Sequence, residues 1–289
     1  MISKATWLHL RIPFSLFLLP VFAFAAALSF NITLINIILT FLCLHLFIYP
    51  ASNGYNSYFD KDQDSIGGLK HPPPVSRELY YTALVFDVMG IFLGLMINWQ
   101  FALMLFIYGL VSKAYSHPSI RLKKYPISGW ITAGLFQGFF TFFMAYIGIN
   151  DGDVIQVFYG LLTLAAVTST LLLWGSFPMT QIYQHQEDTA RGDKTLSLML
   201  GIKGTFLFTA LMFGLANLAF IYFFIVYFSW REAITFQSFL LPILGYFVYW
   251  YWQATKDPSL VDFDHTMKLN IISAVCMNSF FLVFYFMIH

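Results

Sequence analysis

Asn56, Asp60 and Asp64 recur every four positions, directly after a long apolar run at 33–51. A second acidic group, Glu187 and Asp188 with Asp193, follows another such run at 154–180. Carboxylates at the border of a membrane segment are costly unless positive charge lies between them. Continued as a helix, the first segment would stack Asn56, Asp60 and Asp64 on one face within about 12 Å, with Asp62 turned to another. Two carboxylates and an amide oxygen are hard ligands suited to Mg²⁺, which keeps several waters and usually binds substrate phosphates as well. Two such groups, each closing an apolar run, read as one shared site for a divalent cation carrying a diphosphate.

The elements that must position these groups are membrane helices. Hydrophobic residues make up 59% of the 289 positions and charged residues only 10%, whereas a soluble domain carries about 25% charged residues. The net charge of +1 says nothing of partners, and there is no basic tract suited to nucleic acid, so no nucleic-acid partner is expected. A span needs about 20 largely apolar residues. Runs at 12–30, 33–55, 79–97, 102–115, 128–149, 154–183, 204–228, 238–254 and 268–288 give nine expected spans in one domain, residues 1–289. With the N-terminus inside, the inner segments hold every lysine and arginine except Arg231. The positive-inside rule therefore sets the N-terminus in and the C-terminus out. Both acidic groups then lie on the inner face. The first run is read as an uncleaved helix despite its signal-like Ala23-Phe24-Ala25. Cys43 and Cys276 are read as small packing residues.

The segment Asn56-Ser-Tyr-Phe-Asp60-Lys-Asp-Gln-Asp64 resembles the N-x-x-x-D-x-x-x-D motif of the UbiA-type intramembrane prenyltransferases. Lys70-His71-Pro72-Pro73-Pro74 is similar to the family's N-R-P-x-P stretch, with His71 in place of arginine. The family's second motif, D-x-x-x-D followed by G-x-[KR]-T-L, has its counterpart in Asp188 and Gly192-Asp193-Lys194-Thr195-Leu196. Gln184 stands at its first acidic position, which keeps a carbonyl oxygen but loses a negative charge. Tyr115-Ser116-His117-Pro118-Ser119-Ile120-Arg121-Leu122-Lys123 is similar to the Y-S-x-P-P-x-R-L-K stretch of members that act on homogentisate or chlorophyllide.

The resemblance implies an all-α bundle of nine transmembrane helices around a central cavity open to the cytoplasmic face and to lipid. It implies Mg²⁺ held by Asn56, Asp60, Asp64, Gln184 and Asp188, and a polyprenyl diphosphate held by Asn56, Arg121, Lys123 and Lys194. Asp60, Asp188, Arg121 and Lys123 would be catalytic, and the prenyl group would pass to a lipophilic, aromatic acceptor, as in quinone biosynthesis. With no organelle-targeting segment before the first span, a bacterial inner membrane is the expected location. A secondary transporter for an anionic or phosphorylated substrate is the alternative, although transporters place their sites near the midplane. Asp87 within the third run is either functional or structurally paired. His45 and Gln137 are expected to hydrogen-bond between helices, and Gly90/Gly94 and Gly134/Gly138 to permit close helix packing. Asp262, Asp264 and His265 are expected to be solvated loop residues.

Overall fold

The structure, a computed structural model, describes residues 2–289. All its regular elements are helical. After α1 (Lys4–Leu10) the backbone turns at Arg11, whose φ is 47°, into a 3₁₀ segment, Ile12–Phe17, and then α2 (Leu19–Ala27). The two parts meet at 44°, at a break flanked by Pro13 and Pro20. There follow α3 (Leu34–Asp60), α4 (Arg77–Leu95), α5 (Trp99–Ser116), α6 (Pro126–Asn150), α7 (Gly160–Gln181), α8 (His185–Arg191), α9 (Leu196–Tyr227), α10 (Trp230–Lys256) and α11 (Phe263–Ile288). Both α3 and α6 contain a π-helical turn, Leu42–Ile48 and Phe136–Phe140. The first ends two residues before Pro50, which has no N–H to donate.

Among the described residues seven helices are long and apolar enough to cross a membrane, or eight if the bent N-terminal pair is one span. The chain is an integral, multi-pass membrane protein. The expected fourth run corresponds to α5, whose 18 residues include Trp99, Gln100 and Lys113. These polar residues dilute its hydropathy below that of its neighbours, which it nevertheless packs between, α4 on one side and α6 on the other.

The helices close into a ring. Neighbours pack in chain order, α3 on α4, α6 on α7, α9 on α10 and α10 on α11, and α11 returns to α2. Lipid tails are as apolar as leucine, so this closure relies on close packing rather than on water exclusion. Phe24 stacks on Phe281 with centroids 4.6 Å apart, and Phe220, Phe224, Phe236, Phe280 and Phe284 extend the contact. Each such pair contributes about 0.5–1.5 kcal/mol beyond its buried area.

The glycine pairs behave as expected. A Cβ on Gly138 would lie 2.5 Å from the Thr170 Cα, and one on Gly94 would meet Leu105 at 2.6 Å. Asp87 forms an ion pair with Lys113, joining α4 to α5, so the structural reading of that residue holds. His45 departs from expectation. Neither ring nitrogen has a hydrogen-bond partner, and the ring lies among Phe22, Phe41 and Tyr49. Asp262 caps α11 by accepting from the His265 amide at 2.8 Å, and Asp264 pairs with Lys70 at 2.5 Å. Both thiols are free.

Overpacking a close backbone crossing costs about 1–3 kcal/mol. Gly138→Val is therefore expected to lower the thermal unfolding midpoint in detergent by several degrees. Gly214→Ala, where nothing lies within 4 Å of the added methyl, should leave it unchanged or raise it. Equal midpoints for the two variants would contradict the proposed α6–α7 contact.

Candidate active site

One cavity of about 230 Å³ lies between α3, α5, α6, α7 and α8. Four carboxylates, Asp60, Asp62, Asp188 and Asp193, line its polar end, and their side chains are all at least 93% buried. The local sequence explains how they converge. At Asp60 α3 stops, because Lys61 takes a left-handed conformation (φ 53°) and closes the helix by donating its N–H to the Ser57 carbonyl. The face expected to run through Asn56, Asp60 and Asp64 therefore ends at Asp60. The reversal turns Asp62 into the cavity and leaves Asp64 exposed, outside its lining. The following loop is held from the second motif. Glu187 Oε1 accepts from the amides of Gln63 (3.0 Å) and Asp64 (2.9 Å), and Gln184 Nε2 donates to the Ser65 carbonyl at 3.3 Å.

Three cations interleave with the four carboxylates. Arg121 grips Asp193 with two hydrogen bonds, of 2.9 and 2.8 Å, and reaches Asp60 at 3.2 Å. Lys123 donates to Asn56 Oδ1 at 2.7 Å and pairs with Asp60. Ser116 Oγ donates to the same Asn56 oxygen at 2.7 Å. Arg191 pairs with Asp62, and donates to Asp188 at 2.9 Å and to Asp193 at 3.1 Å. Thr195 Oγ1 completes Asp188 at 3.1 Å.

Burial and charge pull these groups in opposite directions. Burial pushes the Asp188 carboxyl up to about 6, against the charge and hydrogen bond of Arg191. Asp62 is raised by burial first and then by the Asp60 charge. Burial acts on Asp193 as well, but the hydrogen bond and charge of Arg121 outweigh it and hold the carboxyl below its ordinary value. Burial lowers Lys123, despite the opposing charge of Asp60.

The structure thus brings together Asn56, Asp60, Arg121, Lys123, Gln184 and Asp188. It sets Lys194 apart: that side chain is exposed and outside the cavity lining, while its amide donates to the Lys124 carbonyl at 3.0 Å. Sequence reasoning assigned Arg191 only to membrane topology. The signal for more was its spacing of three from Asp188, one helical turn. Arg11, also given only to topology, lines the cavity, with its guanidinium bonded to the Gly67 and Asn53 carbonyls at 3.0 and 3.2 Å.

The rest of the lining includes Ser52, Gln137 and Gln181 and the rings of Tyr108, Phe136 and Phe177, all on the long helices. Gln137 and Gln181 make no side-chain hydrogen bonds among the described residues, and Gln181 Oε1 and Ser52 Oγ are buried without partners. A buried polar atom left unpaired costs about 1–3 kcal/mol.

As the side chains lie, no group of three or more acidic, histidine or cysteine residues is arranged to hold a metal among the described residues. Each carboxylate faces a cation instead. The donor set still fits Mg²⁺, which takes one or two carboxylates and completes its shell with water and substrate phosphate.

The sequence profile of the UbiA prenyltransferase family matches residues 15–272. The chain belongs to that family of prenyltransferases, and the reading of it as an enzyme of this class holds. A comparison with curated protein sequences gives no significant match. Among solved structures, the chain is similar to a UbiA homologue from Archaeoglobus fulgidus bound to GPP and Mg²⁺, with a TM-score of 0.69 at 18% identity, covering 98% of this chain and 99% of that one. It is similar to the apo structure of a UbiA homologue from Aeropyrum pernix K1, with a TM-score of 0.72 at 20% identity, covering 94% and 98%. It is also similar to a digeranylgeranylglyceryl phosphate synthase, with a TM-score of 0.60 at 19% identity, covering 98% and 96%. At these identities the likeness establishes the fold.

Removing one partner from a buried ion pair costs about 3–5 kcal/mol, because a charge is left uncompensated. Arg191→Met strips Asp62, Asp188 and Asp193 of a shared counter-ion. Its thermal unfolding midpoint is expected to fall well below that of the parent without ligand, and to recover partly on adding Mg²⁺. A variant as stable as the parent would show that Arg191 is solvated and outside the network.

Proposed function

We propose that the protein is a Mg²⁺-dependent intramembrane prenyltransferase that moves an allylic polyprenyl group from its diphosphate to a lipophilic, aromatic acceptor of the quinone-precursor type. The observation that carries this reading is a cavity in which four buried carboxylates interleave with Arg121, Lys123 and Arg191 and which aromatic rings also line. A site with only carboxylates would hold a metal and repel a diphosphate, and a site with only cations would do the reverse. The Archaeoglobus homologue bound to GPP and Mg²⁺ and its DMAPP-bound counterpart support the same pairing.

Residues 1–289 form one membrane domain in this reading. Counting α5 and the bent N-terminal pair gives nine spans, with the N-terminus inside, the C-terminus outside and the site at the cytoplasmic face of a bacterial inner membrane. The confinement of all basic residues but Arg231 to one side supports that orientation.

Asn56, Asp60 and Asp188 would hold Mg²⁺, with Gln184 offering a carbonyl oxygen at the same wall. Asp62 takes the place that spacing alone gave to Asp64, and Arg191 takes that of Lys194. The chemistry supplied by Mg²⁺ when bound is neutralisation of charge on the leaving diphosphate. Arg121 and Lys123 exchange a carboxylate oxygen for a phosphate oxygen and leave Asp60 free. Their N–H groups, with those of Arg191, then face the oxygen on which charge develops. The allylic C–O bond breaks and its electron pair departs on the diphosphate. An acceptor carbon supplies the pair for the new bond and loses its proton to water or to the diphosphate. Tyr108, Tyr115, Phe136 and Phe177 line the cavity and keep bulk water from the allylic cation.

Purified protein in lipid with radiolabelled geranyl, farnesyl or geranylgeranyl diphosphate and a panel of phenolic and lipid acceptors tests the reading. Transfer should require Mg²⁺. Asp60→Ala and Asp188→Ala should each lower kcat by about 100-fold or more, with insertion and folding intact. Failure of every acceptor, together with donor binding indifferent to Mg²⁺, would overturn the reading.

A further inference from the structure

We propose that the site takes a single Mg²⁺ with each diphosphate, and that Arg191 is a built-in cation in the place of a second ion. This rests on the prenyl-transfer reading above and adds the number of metal ions the site uses.

Two acidic motifs on one cavity could hold two divalent ions, as two-metal sites do at a spacing of about 3.5–4 Å. The partners of each carboxylate decide between one ion and two. An ionised carboxylate has about four lone-pair sites. Asp193 has three of them engaged, by Arg121 Nε at 2.9 Å, Arg121 Nη2 at 2.8 Å and Arg191 Nε at 3.1 Å. Asp188 has two engaged, by Arg191 Nη2 at 2.9 Å and Thr195 Oγ1 at 3.1 Å, and keeps the others for one ion shared with Asn56 and Asp60. Glu187 lies outside the cavity lining, and its Oε1 accepts from the Gln63 and Asp64 amides. Gln184 brings no charge, and its Nε2 is held by the Ser65 carbonyl at 3.3 Å. The second motif therefore offers a metal one carboxylate, not two.

Arg191 occupies the junction where another ion would bridge the motifs. It is the last residue of α8, one helical turn after Asp188. Its three nitrogens address three different carboxylates, Nη1 on Asp62, Nη2 on Asp188 and Nε on Asp193. Asp62 belongs to the first motif and the others to the second, so the guanidinium joins them as a metal ion would. A guanidinium has five N–H donors. Three are used in these pairs, which leaves one on Nη1 and one on Nη2. The side chain lines the cavity and is 21% exposed, and the planar fork of arginine suits phosphate oxygens.

The two ends of the network differ in how readily they yield. Asp60 is held by Lys123, a point charge on a flexible stem, and by one Arg121 contact of 3.2 Å. An ion can replace those contacts while Arg121 keeps both bonds to Asp193. Displacing Arg191 would strand three buried carboxylates together, and uncompensated buried charge is strongly destabilising.

The test counts ions. Mn²⁺, which suits the same oxygen ligands as Mg²⁺, is titrated into the full chain in phosphatidylcholine nanodiscs with the non-hydrolysable geranyl thiolodiphosphate. Electron paramagnetic resonance of free Mn²⁺ gives the number bound, against a blank of empty nanodiscs and analogue, and Mg²⁺ competition confirms the site. The parent should saturate at one Mn²⁺ per chain, with an uncoupled spectrum. Arg191→Met leaves the carboxylates only Arg121 and Lys123 as ion-pair partners. It should take two Mn²⁺ per chain, close enough to broaden each other's signal. Arg191→Gln is neutral but still donates to a carboxylate; it should also take two, and covers a Met variant that does not fold. Arg191→Lys keeps the charge and should stay at one. Two ions in the parent or in the lysine variant overturn the proposal, as does one ion in a folded neutral variant. A parent that binds no Mn²⁺ beside the donor analogue defeats the prenyl-transfer reading as well, whereas two ions in the parent leave that reading standing.

Discussion

Four carboxylates cannot lie buried at a membrane border without cations among them, and the arrangement of this protein follows from where those cations come from. Arg121, in the loop after α5, joins Asp60 at the end of α3 to Asp193 beyond α8. Arg191, on α8, joins Asp62 in the first motif to Asp188 and Asp193 in the second. The bridges from Arg121 and the Arg191–Asp62 bridge therefore cross between segments remote in sequence, while Arg191 holds Asp188 and Asp193 locally. Single buried pairs contribute little net stability once desolvation is counted, but a missing partner is expensive. The network therefore acts chiefly on geometry, since arrangements that part the two motifs strand a charge. Glu187 reinforces it by accepting from two backbone amides, holding the loop that carries Asp62 against α8.

Electrostatics at the border would fail if the helices below could drift. Their registration is set by close contacts that need small residues. Gly138 lets α6 meet the α7 backbone at Thr170, and Gly94 lets α4 meet α5. The Asp87–Lys113 pair locks α4 and α5 together, while the phenylalanine cluster returns α11 to α2 and closes the ring. Because α3, α5, α6, α7 and α8 each give the cavity part of its wall, a shift in any one helix alters the spacing between the carboxylates and their cations.

The membrane character, the helices and the two acidic motifs were legible in the sequence because each depends on local pattern: apolar length, one-sided basic charge, and four-residue spacing. Asp64 and Lys194 lie exposed outside the cavity lining, and that placement depends on backbone turns that no composition announces. Lys61 takes a left-handed conformation usually left to glycine or asparagine, and that single residue exchanges Asp62 for Asp64 at the cavity. Arg191 escaped notice for a different reason. A cytoplasmic arginine satisfies the positive-inside rule whether or not it also pairs with an acid, so topology accounted for it before chemistry was considered. The unpartnered oxygen of Gln181 is a property of packing and has no sequence signature.

The order of layers in the cavity follows from solvation. Charge is cheapest near the aqueous border, where Asp60, Asp188, Arg121 and Arg191 lie. Neutral amides, hydroxyls and aromatic rings, among them Ser52, Gln181, Tyr108, Phe136 and Phe177, line the part of the cavity on the long helices. A prenyl diphosphate has the same gradient along its own length, ionic at one end and hydrocarbon at the other. Matching the two gradients fixes its orientation, with the headgroup at the border and the chain directed into the bundle. On the reading proposed above, the allylic carbon, one bond from the diphosphate, would then lie beside the charged end.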